Sequence, residues 1–397
     1  MSVVKLVFAH PTEPKHLVRT PAWDGDVDLE DLGPLIARAR DEIKADVAVL
    51  RVYPPVDGET TVLLLPVGDG SLSNGSLDDA DWRAGEVTPV GPAWSTKPFR
   101  GEILDWASGF LGPIEDLQQV RIWDLSWVAR TNDAYIKATG ISPLFADEGG
   151  VTAALAGLFP DRVAKPIAYD TERRWMILPD LGPGRRLKTD KPEYERFLRD
   201  FARMQIESAG HVDVLLASGC VERSLDWTRD HGRDWLGRAD LSGLRPADSD
   251  RARQLVDDLP GHIDRLNALG LPNTLLHGDI HSGNTIGNGD GFWYIDWTDA
   301  SIGHPFVDMF TIRLIEGRRG DELREAYLDE WRAAGFAHVD ESWDAAGVVL
   351  AAHHAISYIA LCSEIVPPVE QDLLDMIPTW LARMVDAAGG LPMRELA

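Results

Sequence analysis

The chain has 397 residues, which is enough for about two or three domains and at least one large core. Hydrophobic residues make up 44% of it and charged residues 26%, values that disfavour a disordered or fibrous protein. The formal net charge is −25. Nucleic acid and anionic membrane surfaces need a cationic protein face, so we expect neither as a partner; a neutral or cationic small molecule fits this charge better.

The expected location is the cytoplasm. No apolar run approaches the length of a membrane span, and the first nine residues lack the features of a secretory signal. The two cysteines, Cys220 and Cys362, cannot form a disulfide framework, and their neighbours do not have metal-ligand spacing. These features predict a protein of a reducing compartment without a membrane segment.

Residues 1–94 are predicted to form a small α+β domain. Residues 3–9 have the pattern of a strand, and apolar residues at helical spacing predict a helix over 29–43. Two further β-rich runs, 46–53 and 60–67, are joined by a Pro- and Gly-containing segment, which indicates a hairpin. A turn-rich stretch at 89–92 marks the expected end of this domain. We interpret it as a cap that shapes access to a substrate or fixes the pose of the domain that follows.

The pattern changes at residue 95. A helix over 99–111 is followed by several short strands up to residue 179, among them 164–170, with a helical stretch around 148–158 between them. A mainly helical region then continues to residue 397 and includes a helix over 371–388; a β-rich section at 275–296 interrupts it. The expected architecture is therefore α+β: a small strand-rich lobe (95–179) and a large helical lobe (180–397), preceded by the domain of residues 1–94. This order of elements is the layout of a bilobal protein-kinase-like fold.

The most informative segment is 277–284, which reads HGDIHSGN and is followed by YIDW at 294–297. Phosphoryl transfer needs one carboxylate to accept a proton and further oxygen ligands to hold Mg²⁺. Asp279 with Asn284 five residues later has the catalytic-loop spacing of kinases. A predicted hairpin after residue 284 returns the chain so that Asp296 can reach the same metal.

These residues resemble the catalytic loop and the I-D-W segment of the aminoglycoside phosphotransferase and choline-kinase-like family. The resemblance covers roughly residues 95 to 380 and implies ATP and Mg²⁺ as cofactors and a small-molecule hydroxyl as acceptor. It implies that Asp279 is the catalytic base and that Asn284 and Asp296 are magnesium ligands. By the same likeness Asp308 supports the catalytic loop.

Three other residues complete the predicted site. His277 is expected to support the loop through a hydrogen bond, because a zinc site would need further ligands that are not near in sequence. Lys137 lies in a strand pattern and resembles the kinase lysine that binds the nucleotide phosphates. Glu148 opens the next predicted helix and is its expected ion-pair partner.

The sequence also departs from the family pattern. The turn near residues 124–127, which would cover the phosphates, lacks glycines. Pro179 stands where an acidic residue is frequent, and Met204-Gln205 replaces a usual Leu-His ending of the long helix. These differences affect the expected acceptor more than the expected fold.

Three functions remain open from the residues. The first is a phosphotransferase for an aminoglycoside or amino sugar, favoured by the family likeness and the acidic charge. The second is a metabolic kinase of a neutral sugar, amino alcohol or amino acid, to which the additional amino-terminal domain gives weight. The third is a binding protein with an inactive kinase fold, which the presence of Asp279, Asn284, Asp296 and Lys137 disfavours.

Overall fold

The structure, a computed structural model, describes residues 3–29, 31–67, 83–84, 91–131, 133–182, 185–187, 191–316, 318–365 and 371–391. Residues 89 and 90 of the predicted domain boundary lie outside these ranges. The described residues belong to two compact units. One takes in Met1–Gly140, Pro166–Asp180 and Ile365–Glu370, and the other takes in Ile141–Lys165, Leu181–Glu364 and Gln371–Ala397.

The first unit begins with a five-stranded sheet of order β3-β4-β1-β2-β5. The two central strands β1 and β4 are parallel, and the other major pairs are antiparallel, including the predicted β3–β4 hairpin. One helix, α1 (Gly33–Ile43), places Leu35, Ala39 and Ile43 in the core at helical spacing. The strands are β1 (Val3–Ala9), β2 (Lys15–Asp24), β3 (Asp46–Val52), β4 (Glu59–Val67) and β5 (Arg83–Ala84).

A second five-stranded sheet in the same unit has the order β6-β7-β8-β10-β9, with all neighbours antiparallel. It follows helix α2 (Phe99–Leu111), whose bounds agree with the predicted helix. Phe99 packs edge-on against Trp127 and Trp175 of this sheet. The strands are β6 (Gln118–Ile122), β7 (Ser126–Arg130), β8 (Ala134–Thr139), β9 (Ala168–Asp170) and β10 (Trp175–Pro179).

One apolar core is common to both sheets. Val4, Leu6 and Phe8 of β1 belong to the same cluster of buried side chains as Ile136 of β8 and Ile177 of β10. The predicted boundary at residue 94 therefore lies between two sheets that share one core and belong to one compact unit. The assignment of residues 1–94 as a domain with a cap role remains a prediction.

The second unit is mainly helical, as predicted for the large lobe, and it also includes residues 141–165 with helix α3. The helices enclose an extensive core that contains the buried rings of Trp297, Trp331 and Trp380. The helices are α3 (Glu148–Leu158), α4 (Lys191–Ser208), α5 (Val212–Ala217), α6 (Leu225–Leu236), α7 (Pro246–Asn267), α8 (Phe306–Glu316), α9 (Arg318–Ala333), α10 (Val339–Glu364) and α11 (Gln371–Ala388).

Of the helices that the structure describes, α10 alone is long and apolar enough to cross a membrane, and most of its apolar stretch is buried inside the protein. Such burial is typical of a central core helix.

Two small sheets interrupt the helices, and their strands flank the motif segment 277–284. One has the order β11-β14-β15 and the other β12-β16-β13, so strands distant in sequence meet. The strands are β11 (Arg185–Arg186), β12 (Val221–Glu222), β13 (Thr274–Leu276), β14 (Thr285–Asn288), β15 (Gly291–Tyr294) and β16 (Ser301–Gly303).

Candidate active site

The loop that follows β13 is held by Asp308, a fully buried carboxylate in the first turn of α8. Its Oδ2 accepts the backbone N–H of His277 at 2.9 Å, and its Oδ1 accepts that of Gly278 at 2.8 Å. Burial raises the pKa of Asp308 to about 7, while the two backbone hydrogen bonds oppose that rise. The geometry agrees with the predicted role of loop support, because a single side chain satisfies two successive backbone donors.

A third donor to Asp308 comes from a residue for which no role was predicted. Gln205, near the end of α4, is fully buried, and its Nε2 donates to Asp308 Oδ2 at 3.1 Å. The hydroxyl of Tyr327 in turn donates to Gln205 Oε1. Gln205 belongs to the Met204-Gln205 pair that departs from the expected family pattern, so this departure falls on a side chain that donates to Asp308.

Gly278 is required by the shape of the loop. Its φ is +85°, a conformation that residues with a side chain rarely adopt. A Cβ atom at this position would lie 2.5 Å from Cβ of Asp299 and 2.6 Å from the Asp299 carbonyl oxygen. The absence of a side chain therefore allows the loop to pass against Asp299, directly before the predicted catalytic base.

Asp279 and Asn284 are joined by hydrogen bonds. The amide Nδ2 of Asn284 donates to the backbone carbonyl of Asp279 at 2.8 Å and to its carboxylate Oδ2 at 3.1 Å. These contacts use the nitrogen of the amide and leave its oxygen Oδ1 without a hydrogen bond from any residue in the described ranges. The Asp279 side chain is 49% exposed, so its carboxylate is accessible to an incoming molecule.

His281 also faces the Asp279 carboxylate. Its Nδ1 accepts the backbone N–H of Gly283 at 3.0 Å, which places the ring proton on Nε2. That Nε2 lies 3.6 Å from Asp279 Oδ2. The motif contained His281, but its orienting position depends on the turn at Gly283 and was not predicted.

Asp296 comes next to this pair through the β14–β15 hairpin. The backbone N–H of Ile295 donates to the carbonyl of Asn284 at 3.1 Å, so the residue after Ile295 lies beside the loop. Asp296 itself has a φ of +67°, a strained conformation for a residue other than glycine. The hairpin therefore returns the chain as the sequence predicted.

The predicted loop-supporting histidine lies beneath these residues. His277 is fully buried, and its Nε2–H donates to the carbonyl of Ile295 at 2.9 Å. Burial lowers the pKa of His277, against the opposing charges of Asp279 and Asp296, so the ring is neutral. A neutral donor to the residue before Asp296 fits a supporting role.

Glu148, at the start of α3, is linked to the same site. Its Oε2 lies 3.0 Å from the hydroxyl of Thr298, and that hydroxyl lies 2.9 Å from Asp296 Oδ1. One hydroxyl proton can be donated to either carboxylate. Thr298 is a further residue that the sequence did not indicate, since it lies one position beyond the recognised segment.

Lys137 belongs to the first unit, in the middle of β8. It pairs with Val128 of β7 and Met176 of β10 in the sheet, and it is almost fully buried. A buried lysine needs a negative partner or ligand, because an isolated buried ammonium is strongly unfavourable. Its nucleotide-binding role, together with its pairing with Glu148, remains a prediction.

The residues around the loop fit a hard divalent cation. Mg²⁺ prefers carboxylate and amide oxygens with several water or phosphate oxygens. Asp296 supplies a carboxylate and Asn284 an amide oxygen whose nitrogen is already engaged. Within the described ranges, no cluster of three or more His, Cys, Asp or Glu side chains offers a site held by protein ligands alone, such as a structural zinc site.

A strand-rich part, a helical part and a motif loop that follows β13 are the features of protein-kinase-like phosphotransferases. The family model of the APH phosphotransferase enzyme family matches residues 120–346, which is more than half of the chain. The chain therefore belongs to that family, and the prediction of a small-molecule kinase is confirmed. A comparison with curated proteins finds no match.

Solved structures show the same fold at low sequence identity. The GDP complex of wild-type aminoglycoside 2'-phosphotransferase-IIIa is 14% identical, with a TM-score of 0.54 over 75% of this chain and 100% of that chain. Choline kinase LicA from Streptococcus pneumoniae is 13% identical, with a TM-score of 0.52 over 74% of this chain and 99% of that chain. The predicted kinase-like fold is thus confirmed.

Proposed function

We propose that this phosphotransferase moves the γ-phosphate of ATP to a hydroxyl of an aminoglycoside or related amino sugar, with Mg²⁺, in the cytoplasm. The observation that carries the proposal is the half-exposed carboxylate of Asp279, oriented by Asn284 and His281 on a loop that buried side chains hold. An accessible, fixed carboxylate is what a general base for a hydroxyl requires.

In the proposed reaction, Asp279 accepts the proton of the acceptor hydroxyl as the hydroxyl oxygen attacks the γ-phosphorus. The bond between the γ-phosphorus and the β–γ bridging oxygen breaks, and ADP leaves. Asn284 keeps the carboxylate turned toward that oxygen through the bond from its Nδ2. Lys137 is proposed to bind the nucleotide phosphates, with Glu148 as its partner. The metal, when bound through Asp296 and the Asn284 amide oxygen, would neutralise phosphate charge.

An acidic environment favours a cationic acceptor. The net charge of −25 supports long-range attraction of amino groups, and Asp299 lies directly against the catalytic loop. Two of the similar structures are an aminoglycoside 2'-phosphotransferase and a choline kinase, and the first is named for the acceptor class that we propose.

A metabolic kinase of a neutral sugar, an amino alcohol or an amino acid is the second candidate. Arg223, at the end of β12, is buried, and burial lowers the pKa of its guanidinium while the charge of Asp299 raises it. The proximity of this cation reduces the negative charge that Asp299 presents to an acceptor. An acceptor with a neutral or anionic group beside its hydroxyl would tolerate Arg223 better than a polycation would.

The role of Asp279 is tested by Asp279→Asn, which keeps the shape of the side chain and removes its basicity. We expect turnover to fall by about 10²–10⁴, with Mg·ATP affinity little changed, as is usual when general base catalysis is lost. Asp290→Asn, at an exposed turn of the adjacent hairpin, is the matched control and should keep wild-type turnover. Near-normal turnover of the Asp279→Asn enzyme would remove the base from the proposal.

The role of Asp296 is tested separately by Asp296→Ala. Without this carboxylate the metal loses a ligand, and we expect magnesium-dependent nucleotide affinity to fall by several kcal/mol, measured by calorimetry with and without Mg²⁺. Equal Mg·ATP affinities of the two proteins would show that Asp296 does not bind the metal. A thermal-shift screen with Mg·ATP and amino sugars, plain sugars and amino alcohols would then separate the two acceptor classes.

A further inference from the structure

The turn between β6 and β7 is bound by an ion pair with the amino-terminal sheet, in which the arginine is buried and the carboxylate of Asp124 is 19% exposed. Arg51, in β3, is only 3% exposed, and its Nη2 donates to Asp124 Oδ2 at 2.7 Å. The guanidinium also lies over the ring of Tyr53, with its carbon 4.9 Å from the ring centroid. Removing either partner of such a pair is unfavourable, because the charge of the other partner is then uncompensated.

Two further contacts bind the same strand and turn. The indole Nε1 of Trp94 donates to the backbone carbonyl of Trp123 at 2.9 Å. The side-chain amide of Gln119 accepts from the N–H of Val49 at 2.9 Å and donates to the carbonyl of Val49 at 2.8 Å. The side chain of Gln119 thereby forms the two hydrogen bonds that a neighbouring strand would form with Val49 of β3. The contacts with residues 123 and 124 of the turn come from Trp94 and Arg51.

By the family resemblance the turn near residues 124–127 would cover the phosphates, and its sequence is unusual for that position. Turns that cover nucleotide phosphates use glycines so that backbone N–H groups can approach the anion. This turn has Asp124 in that place, and an unpaired carboxylate would repel phosphate. Arg51 supplies a positive charge at 2.7 Å and so removes this repulsion.

We propose that Arg51 is a positioning residue for the nucleotide. It fixes the β6–β7 turn and neutralises Asp124, so that residues 1–94 act on nucleotide binding. This inference rests on the proposed function and on the expectation, from the family resemblance, that the turn near residues 124–127 covers the phosphates. It assigns to the amino-terminal sheet a role different from that of a cap over the acceptor.

The test compares steady-state constants of three variants with those of the wild type. Arg51→Met removes the charge and keeps most of the side-chain stem, Arg51→Lys restores a charge, and Arg40→Met is the control. Arg40 forms an exposed ion pair with Asp46 at 2.8 Å in the same sheet region, with 54% of its side chain exposed.

For Arg51→Met we expect the KM for Mg·ATP to rise at least about tenfold, with the KM for the acceptor within about twofold. Arg51→Lys should recover part of this loss, and Arg40→Met should match the wild type. A purely structural role would change both KM values or lower only the amount of active enzyme. An Arg51→Met enzyme with wild-type constants, or with equal effects on both KM values, would overturn the proposal.

If Arg51→Met does not fold, the double variant Arg51→Met/Asp124→Asn decides. It buries no unpaired charge, but its turn has lost the ion pair, so we expect a KM for Mg·ATP at least about threefold above the wild type. A wild-type KM in that variant would refute the inference. Failure of the proposed function is recognised separately, because the wild type would then transfer no phosphate from ATP.

Discussion

The support of the catalytic loop by Asp308 leads to a quantitative prediction. In the native structure its two oxygens accept the N–H groups of His277 and Gly278 and the amide of Gln205. Asp308→Ala removes both oxygens, and with them the acceptors of three hydrogen bonds, from a fully buried place. Asp308→Asn keeps one oxygen and turns an NH₂ group toward a donor. Both variants remove the carboxylate charge, but Asp308→Asn keeps part of the hydrogen bonding that Asp308→Ala loses.

The expected cost follows from the donors that lose their partner. A buried donor without a partner costs about 1–3 kcal/mol, and Asp308→Ala leaves the backbone donors of His277 and Gly278 in this state. We therefore expect a loss of about 2–6 kcal/mol in the free energy of unfolding, and a smaller loss for Asp308→Asn. Turnover should fall with stability, because Asp279 follows these two residues directly.

Urea unfolding followed by the fluorescence of the 14 tryptophans measures this difference. Asp264→Ala serves as the control, because Asp264 is 67% exposed and pairs with Arg229 at the surface. That variant should lose less than about 1 kcal/mol. An Asp308→Ala protein as stable and as active as the Asp264→Ala control would refute the supporting role of Asp308.

Two further predictions concern the loop and the helical unit. Gly278→Ala combines a positive φ with a collision at Asp299 and should lower the free energy of unfolding by about 2–5 kcal/mol. Gly289→Ala, with φ +57° and open space around the position, should lower it by about 1–2 kcal/mol. Equal losses in thermal unfolding would contradict the collision at Asp299. The hydrogen bond from Arg203 of α4 lowers the pKa of Glu330. The contribution of this carboxylate to the free energy of unfolding is therefore fully present above about pH 4.3, the ordinary value, and is lost as the pH falls through the lowered pKa. Glu330→Gln should cost about 1 kcal/mol at pH 7 and progressively less below pH 4, and a pH-independent difference between the two unfolding curves would contradict this linkage.

Elements with strong local signals could be predicted from the sequence. The bounds of β1, α2, α3 and α11 agree with the periodic apolar patterns. Strand β2 (Lys15–Asp24) was not predicted, because its sequence includes Pro21, a residue that normally argues against a strand. Its pairing with β1 shows that neighbouring strands outweighed the local preference.

The length of β9 was also predicted incorrectly. The apolar run at 164–170 indicated a strand, but the strand begins only at Ala168. Pro166 has no N–H group for a hydrogen bond to the neighbouring strand. The first backbone hydrogen bond from this segment to β10 is donated by Ile167 to the carbonyl of Ile177. Local composition alone could not locate that boundary.

In the candidate site, residues close together in the sequence could be predicted, whereas contacts between distant residues could not. Asp279, Asn284 and Asp296 lie within one short stretch and have a recognisable spacing, so the sequence could indicate them together. Gln205 is more than 100 residues from Asp308, to which it donates. The bond between Arg51 and Asp124 likewise joins distant residues. Contacts of this kind depend on tertiary packing and leave no pattern in a single sequence.

Transfer of the γ-phosphate can be observed directly by ³¹P NMR of ATP, Mg²⁺ and an amino-sugar acceptor mixed with the purified enzyme. The proposed function predicts a new phosphomonoester resonance that grows as the γ-phosphate signal of ATP declines, and a rate about 10²–10⁴ lower with Asp279→Asn. Release of inorganic phosphate alone, no new resonance with any amino sugar, plain sugar or amino alcohol, or equal rates for the two proteins would contradict it.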